Sequence, residues 1–175
     1  LKQWEEIDLH AWVKEQTDLP VDFAKDTTAA CMAEMLQGNG RLVDSYLYVF
    51  VGTFVGGGLV SNGHILAGHR SNAGAIGSLP LGLARATQRP PQLLQRASGW
   101  KLEQTLERRG FDVQLVHQDA IMGDRFVECV QPWLEQASQA LAMTAVTSTA
   151  LMDLDAVIID GSLGRELINA LNSAT

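Results

Sequence analysis

The feature that most constrains the fold is a glycine-rich segment that directly follows a short apolar run. Eight of the sixteen glycines lie between residues 51 and 81, after the apolar run Tyr46–Val51. Within this segment Asn62-Gly63 separates two stretches rich in apolar residues, and Asn-Gly is the strongest short signal for a tight β-hairpin. The pattern predicts an antiparallel meander over residues 45–68, with its first strand in a central position because that strand is apolar on both faces.

Helical patterns flank this meander on both sides. Before it, the sequence predicts a helix over 2–16, a short strand over 21–24, and a helix that Asp26 or Thr27 caps and that ends at Gly38 and Gly40. An irregular segment over 69–91 follows the meander. Beyond it we predict short helices over 92–97 and 101–110, and a strand or extended link over 111–118. A long helix over 124–152 should follow, which Pro132 should kink or divide. A buried strand over 154–160 and a final helix over 164–173 complete the pattern. This order of strands and helices predicts an α/β layered fold.

The composition argues against nucleic-acid binding and against a membrane protein. The net charge is −7 and the pI about 5.0, whereas contacts to nucleic-acid phosphates need a basic surface. No apolar stretch approaches the roughly eighteen residues of a membrane-spanning helix, and no leader-like segment is evident. We therefore expect a cytoplasmic protein. Acidic residues interrupt the basic residues between positions 85 and 109, which predicts a solvated helix face (Arg85, Arg89, Arg96, Lys101, Arg108 and Arg109).

The two cysteines do not predict a metal site. Cys31 and Cys129 lie far apart in apolar helical segments, which is typical of buried free thiols. Two cysteines cannot supply a structural zinc site without further ligands. We expect a protein without a bound metal.

Four segments, in order, resemble the ROK family of bacterial sugar kinases and sugar-responsive repressors. They are "LPVDFAKDTTAACMAEM", "VFVGTFVGGGLVSNGHILAG", "NAGAIGSLPL" and "MDLDAVIIDGSL". The resemblance implies an actin-like ATPase (ribonuclease H-like) α/β fold with two lobes, and ATP and sugar in the cleft between them. It assigns residues 1–40 to the end of the first lobe and residues 41–175 to the second lobe of a longer chain. The family's first phosphate loop, Asp-x-Gly-Gly-Thr, and its final helix have no counterpart here.

The resemblance also implies roles for individual residues on the phosphate side. Asp26 matches the family's general base, which accepts the proton of the attacking sugar hydroxyl; the alternative is that it only caps the following helix. Lys25 stands where the family has an asparagine that contacts sugar. Gly52 and Thr53 match the start of a Gly-Thr-Gly phosphate turn, whose last glycine is replaced by Phe54, and Gly56 and Gly57 continue this phosphate-loop-like segment.

On the sugar side, the residues that the resemblance would assign to sugar contacts are substituted. Ala75 replaces a glutamate, and Ser78 replaces a histidine that contacts sugar and often binds zinc. The family's cysteine-rich zinc motif is absent from residues 79–100. His69 and Asn72 remain as candidate ligand contacts. Gly161 corresponds to the turn beside the adenosine.

These substitutions predict a scaffold that has lost phosphoryl transfer. The expected function is a catalytically inactive, effector-sensing and dimerising domain of a ROK-type transcriptional regulator that responds to a sugar or sugar derivative. It would bind no cofactor, and it would reach DNA only through a helix-turn-helix domain outside this sequence. The long helix over 124–152 carries apolar residues beyond a single stripe, which predicts a homodimer. The alternatives are a divergent ROK sugar kinase that uses ATP, or an oligomerisation lobe without a ligand.

Overall fold

The computed structural model describes residues 6–83 and 89–175. In it, helices pack against a mixed β-sheet. The strands are β1 (Tyr46–Val51), β2 (Val55–Ser61), β3 (His64–Ile65) and β4 (Ala156–Gly161). The helices are α1 (Leu9–Thr17), α2 (Asp26–Gln37), α3 (Leu93–Ala97), α4 (Gly99–Arg108), α5 (Val127–Met152) and α6 (Arg165–Ala174). Short 3₁₀ turns lie at Asn39–Leu42, Ile76–Ser78, Val113–His117, Asp119–Met122 and Asp124–Phe126.

The strand order β3-β2-β1-β4 confirms the predicted meander and the central position of its first strand. β1 pairs antiparallel with β2 and parallel with β4. The Asn62-Gly63 turn joins β2 to β3, and both residues have positive φ, 51° and 73°, as the predicted hairpin requires. Because β1 and β4 run in parallel, Val51 and Gly161 lie side by side at their carboxyl ends.

The helices cover both faces of the sheet. On one face α2 packs against β1 and β2 around a small cluster that contains Cys31, Tyr46, Tyr48 and Val60. On the other face α3 to α6 enclose the larger core, in which Leu93, Leu102, Leu106, Leu167 and Leu171 are fully buried. The predicted α/β class is therefore confirmed, with one helix layer thinner than the other.

The glycines of β2 allow α2 to approach the sheet closely. A Cβ atom on Gly56 would lie 2.6 Å from Cγ2 of Thr27, and one on Gly58 would lie 2.5 Å from Cβ of Cys31. These distances are far below van der Waals contact. Glycine at both positions is therefore a packing requirement of the α2–β2 contact.

The N-terminal predictions need two corrections. α1 begins at Leu9, because the side chain of Asp8 accepts the amide of Ala11 and caps it; the expected start at residue 2, with Trp4, lies outside the described residues. The predicted strand over 21–24 is wrong, since that segment has no strand partner and runs irregularly into α2. α2 ends at Gly38 as predicted, where the carboxylate of Glu34 accepts the amides of Asn39 and Gly40.

Three later predictions also differ from the structure. The ambiguous segment over 111–118 is a 3₁₀ helix, because the side chain of Asp112 accepts the amide of Gln114 and closes a turn. Pro132 lies inside α5 and does not divide it, and Val130 and Trp133 beside it are buried; the alternative, a kink at Pro132, stays a prediction. The strand predicted to be buried, β4, is half-buried, because it lies at the edge of the sheet.

The structure also bears on the predictions for the cysteines, the basic face and membrane-spanning helices. Cys31 and Cys129 are buried free thiols, as expected. Of the predicted basic face, Arg85 lies outside the described residues. Within residues 6–83 and 89–175, no helix combines the length and hydropathy needed to cross a bilayer.

We expect the thiol of Cys31 to be unreactive in the folded protein. Burial against β2 raises the pKa of this thiol from 9.0 to about 11, because the thiolate would be poorly solvated there. In a Cys129→Ala variant, a disulfide thiol reagent at pH 8 should leave the native protein unlabelled. The same reagent should label one thiol per chain after unfolding in urea.

The raised pKa of the Cys31 thiol also sets the pH range in which the protein loses folding stability through this residue. Because the folded-state pKa lies above the unfolded value, the contribution of the neutral thiol is fully present below pH 9 and is lost as the pH rises through 11. Urea unfolding between pH 8 and pH 11 measures this loss. Labelling of the native variant at pH 8 as fast as the unfolded chain would contradict the prediction.

Candidate functional site

One cleft brings together most of the residues that the sequence singled out. It has a volume of about 500 Å³ and is formed by the start of α2, the turn between β1 and β2, and the 3₁₀ turn near residue 77. The predicted site residues that line it are Lys25, Asp26, Gly52, Thr53, Phe54, Gly56, Gly57, Ala75 and Ser78. These site residues, which span positions 25 to 78, meet at one cleft because β1 and β2 form a hairpin and α2 packs across it.

Among the residues that the structure describes, Asp26 is the only acidic one that lines the cleft. It is the first residue of α2, and its Oδ1 accepts the amide of Thr27 at 2.7 Å. The N-cap itself is Lys25, whose side chain makes no capping bond, so the expectation that Asp26 caps the helix is wrong in detail. Within residues 6–83 and 89–175 no lysine, arginine or histidine forms an ion pair with Asp26. The carboxylate therefore keeps an oxygen that can accept a proton from a ligand.

The turn between β1 and β2 is held by the start of α4. The amide of Gly99 donates to the carbonyl of Gly52 at 2.8 Å, and the amide of Trp100 donates to the carbonyl of Thr53 at 3.0 Å. The hydroxyl of Thr53 donates to Oε1 of Glu103 at 2.9 Å. These three bonds fix the turn before any ligand arrives.

The same turn retains backbone donors for an anion. Within the described part of the chain, the amides of Thr53 and Phe54 donate to no carbonyl or side chain, and both residues line the cleft. Unpaired successive amides in a turn are suited to phosphate oxygens. These two amides are therefore available to an anionic group, and a role in binding the phosphates of a nucleotide stays a prediction.

Phe54 gives this end of the cleft an apolar wall. Its side chain is 66% exposed and lines both the cleft and a neighbouring apolar pocket that it shares with Leu94 and Trp100. A phosphate group next to the ring would lose part of its hydration. Phe54 therefore adds apolar surface at this turn, while the amides of Thr53 and Phe54 stay unpaired within the described residues.

Two of the three sugar-contact positions, Ala75 and Ser78, are open and uncharged. Ala75 and Ser78 line the cleft and are exposed, and Gln92 Nε2 donates to the carbonyl of Ser78 at 3.4 Å. Gly56 and Gly57 also line the cleft, but both are confined by packing: a Cβ on Gly57 would lie 3.2 Å from Cδ1 of Ile76. This wall offers methyl and hydroxyl groups to a ligand.

The other predicted contacts lie beside the cleft. Asn72 does not line it, but its Oδ1 accepts a hydrogen bond from Lys25 Nζ at 3.3 Å. His69 is exposed and lies outside the lining. Gly161 ends β4, where a Cβ would overlap the carbonyl oxygen of Val51. Its glycine is thus required by strand pairing, and a role beside adenosine stays a prediction.

Sequence reasoning missed two residues of this site. Ser162 lines the cleft because it follows the carboxyl end of β4, which pairs with the carboxyl end of β1. Ligand sites favour such strand ends in α/β sheets, so this signal was available once the strands were predicted. Glu103 gave no signal, because its contact with Thr53 joins residues fifty positions apart.

No group of three metal-ligating side chains (His, Cys, Asp or Glu) forms a cation site within residues 6–83 and 89–175. The expectation of a metal-free protein stays a prediction.

Comparison with known proteins identifies the family. A sequence model of the ROK family matches residues 2–174. This chain belongs to the ROK family. It is 31% identical over 153 residues to an N-acetylmannosamine kinase of Escherichia coli O157:H7, covering 85% of this chain and 51% of that protein. It is 35% identical over 77 residues to a beta-glucoside kinase of Listeria monocytogenes, covering 44% of this chain and 26% of that protein.

Solved structures of ROK proteins share the fold. A glucokinase from Streptomyces griseus in complex with glucose and AMPPNP superposes with a TM-score of 0.73 at 22% identity, covering 95% of this chain and 61% of that one. A ROK transcriptional regulator, a homolog of the Escherichia coli MLC protein, gives a TM-score of 0.65 at 22% identity, covering 95% of this chain and 44% of that one. The predicted actin-like ATPase fold is confirmed.

The ROK chain spans about half the length, or less, of the curated relatives described above. The predicted boundary between two lobes at residue 40 stays a prediction.

Proposed function

We propose that this ROK chain forms the part of an ATP-dependent sugar kinase that holds the proton acceptor and the second phosphate turn. Its substrate would be a sugar or sugar derivative, and Asp26 would accept the proton of the attacking hydroxyl.

The observation that carries this proposal is the position of Asp26. Its carboxylate lines the same cleft as the turn Gly52–Phe54 and has no cationic partner in the described residues. Phosphoryl transfer needs a hydroxyl held between a carboxylate and a bound phosphate. Asp26 and the turn Gly52–Phe54 line one cleft, and this supports the proposal that they act on the two sides of the transferred phosphoryl group.

The substitutions that predicted an inactive protein do not remove these parts. Phe54 changes the side chain of the phosphate turn, but phosphate contacts in such a turn come from backbone amides, and those of Thr53 and Phe54 remain unpaired in the described chain. Ala75 and Ser78 alter contacts to the sugar. The similar proteins named above with an activity are sugar kinases, which supports the kinase alternative at least as well as the inactive reading.

The test is a coupled assay of ADP formation with the full-length protein, ATP and a panel of neutral and charged sugars. The proposal expects turnover with at least one sugar, and nuclear magnetic resonance of the product should show a phosphate ester. Absence of turnover with every sugar, in a protein that binds one of them, would contradict it.

A second candidate function is a sugar-sensing domain of a transcriptional regulator without catalysis. It is favoured by the loss of the sugar-contacting side chains at Lys25, Ala75 and Ser78. Binding of a sugar without turnover would be the result that supports it.

We also propose that the protein forms a homodimer through α5. Val127, Met143, Val146 and Leu151 on this helix are 54%, 46%, 71% and 79% exposed, and a second copy of the same surface would cover them. Light scattering of this chain should then report twice its mass of 19.0 kDa. Val127→Glu should shift it toward monomer, while Asn169→Glu, which adds the same charge at an exposed position of α6, should not. A monomer with intact circular dichroism at high micromolar concentration would contradict the proposal.

A further inference from the structure

A second cavity lies next to the cleft and has not been given a role above. Its volume is about 410 Å³, and Lys25 lines both cavities. The other lining residues come from the segment before α2 and its first turn, from β2 and β3, and from the loop after β3: Phe23, Ala24, Thr28, Gly58, Leu59, Ile65, Leu66, Ala67, Ser71 and Ala73. We propose that this cavity binds a negatively charged group of the ligand, a carboxylate or a phosphate, with Lys25 as its cation. The inference rests on the proposed function, because it assumes that the adjoining cleft holds the sugar ring.

Lys25 is a half-buried cation without an anionic partner in the structure. The only hydrogen bond of its side chain within the described residues is a long one, 3.3 Å, to Oδ1 of Asn72. Within residues 6–83 and 89–175 no carboxylate lies within 4.0 Å of its ammonium group. An ammonium group carries three donors, so at least two remain for a ligand.

Two hydroxyl groups converge on the same cavity. Thr28, in the first turn of α2, and Ser71 both line it. Within the described part of the chain, neither side chain takes part in a hydrogen bond, unlike the hydroxyl of Thr53, which is bound to Glu103. Together with Lys25 they form a set of free donors, and such a set matches the several acceptor oxygens of a carboxylate or phosphate.

The loop that carries Ser71 is held in place without a ligand. Ser71 has a left-handed φ of 50°, its amide donates to the carbonyl of Gly68 at 3.2 Å, and the amide of Ala73 donates to the carbonyl of Ala67 at 3.0 Å. The same loop positions Asn72 against Lys25. A donor group that is already ordered loses less entropy when it binds a ligand.

The charge distribution favours an anion here over a neutral group. Among residues 6–83 and 89–175, Lys25 is the only charged residue that lines the second cavity. Asp26, the only acidic residue of the cleft in that part of the chain, does not line it. The remaining wall is mostly apolar, which strengthens the attraction between unlike charges by lowering the local dielectric. A ligand could therefore present a hydroxyl to Asp26 and a negative group to Lys25 without facing a carboxylate at its charged end.

The experiment is isothermal titration calorimetry of the full-length protein with three sugars that differ at one carbon: glucose, glucuronate and glucose 6-phosphate. We expect one or both charged sugars to bind at least about tenfold more tightly than glucose. Lys25→Met should weaken binding of the charged sugar by about tenfold more than it weakens binding of glucose. Lys14→Met, which removes a lysine from the exposed surface of α1, should leave all three affinities unchanged. The ranking of glucuronate and glucose 6-phosphate separates a carboxylate site from a phosphate site.

Three results would overturn the inference: equal affinity for glucose and both charged sugars, unchanged affinity of the charged sugars for Lys25→Met, or no binding of either charged sugar at millimolar concentration. The titration does not depend on turnover, so a protein without kinase activity still answers it. Conversely, turnover of neutral sugars with no preference for charged ones would leave the proposed kinase function standing and remove this inference alone.

Discussion

Asp26→Asn in the full-length protein is expected to lower the kinase turnover number by about 10²–10⁴-fold, the usual contribution of a positioned general base. The amide of asparagine cannot accept the proton of the sugar hydroxyl. Its side-chain oxygen can still accept the amide of Thr27, as Oδ1 of Asp26 does at 2.7 Å, so the start of α2 should be preserved. The KM for the sugar should therefore change far less than the turnover number.

The matched control for this prediction is Asp22→Asn. Asp22 is exposed, lies four residues before Asp26 and does not line the cleft, so its replacement removes the same charge from the same segment. Steady-state kinetics of both variants, with circular dichroism to compare their folding, measures the difference. If Asp26→Asn retained more than about a tenth of the turnover number, Asp26 would not be the proton acceptor.

Gly58→Ala is expected to lower the free energy of unfolding by about 1–3 kcal/mol, the range for inserting a methyl group into a packed core. The new Cβ would lie 2.5 Å from Cβ and 2.7 Å from Sγ of Cys31, and Cys31 is fully buried. The collision should push α2 away from β2, and α2 carries Asp26. Urea denaturation of this chain measures the stability change.

Two further variants separate the collision from other effects of losing glycine. Gly63→Asn keeps a residue that tolerates positive φ, and a Cβ there would meet nothing within 4 Å, so its cost should stay below about 1 kcal/mol. In a double-mutant cycle, Cys31→Gly should offset part of the cost of Gly58→Ala, because it removes the contacted atoms. Additive costs in that cycle would show that the two residues do not collide.

Local patterns in the sequence were enough to predict the hairpin and most helices. Asn62-Gly63 sits in the turn that it predicted, and the apolar run Tyr46–Val51 is the central strand. α5 and α6 were predicted within a few residues of their observed bounds. Each prediction depended on residues that are neighbours along the chain, where backbone preferences and apolar spacing act directly.

The predictions that failed depended on partners distant in sequence. The segment over 21–24 has strand-like composition, but a strand needs a paired neighbour, and none lies beside it in the described structure. β4 has the composition of a buried strand but is half-buried, because only β1 pairs with it. The composition of a segment indicates its preference for strand structure, but its position at the centre or edge of the sheet determines how deeply it is buried.

For the candidate site, the sequence by itself determined which residue types are present: the carboxylate of Asp26, the glycines of the phosphate turn, and the substitutions at Ala75 and Ser78. Only the tertiary structure decided what these residues can do together. The parallel pairing of β1 with β4 brings Ser162 to the cleft, the start of α4 engages the carbonyls of Gly52 and Thr53, and the loop after β3 places Asn72 against Lys25. The physical reason is that distances between groups far apart in sequence depend on strand order and helix packing, which no local backbone preference encodes.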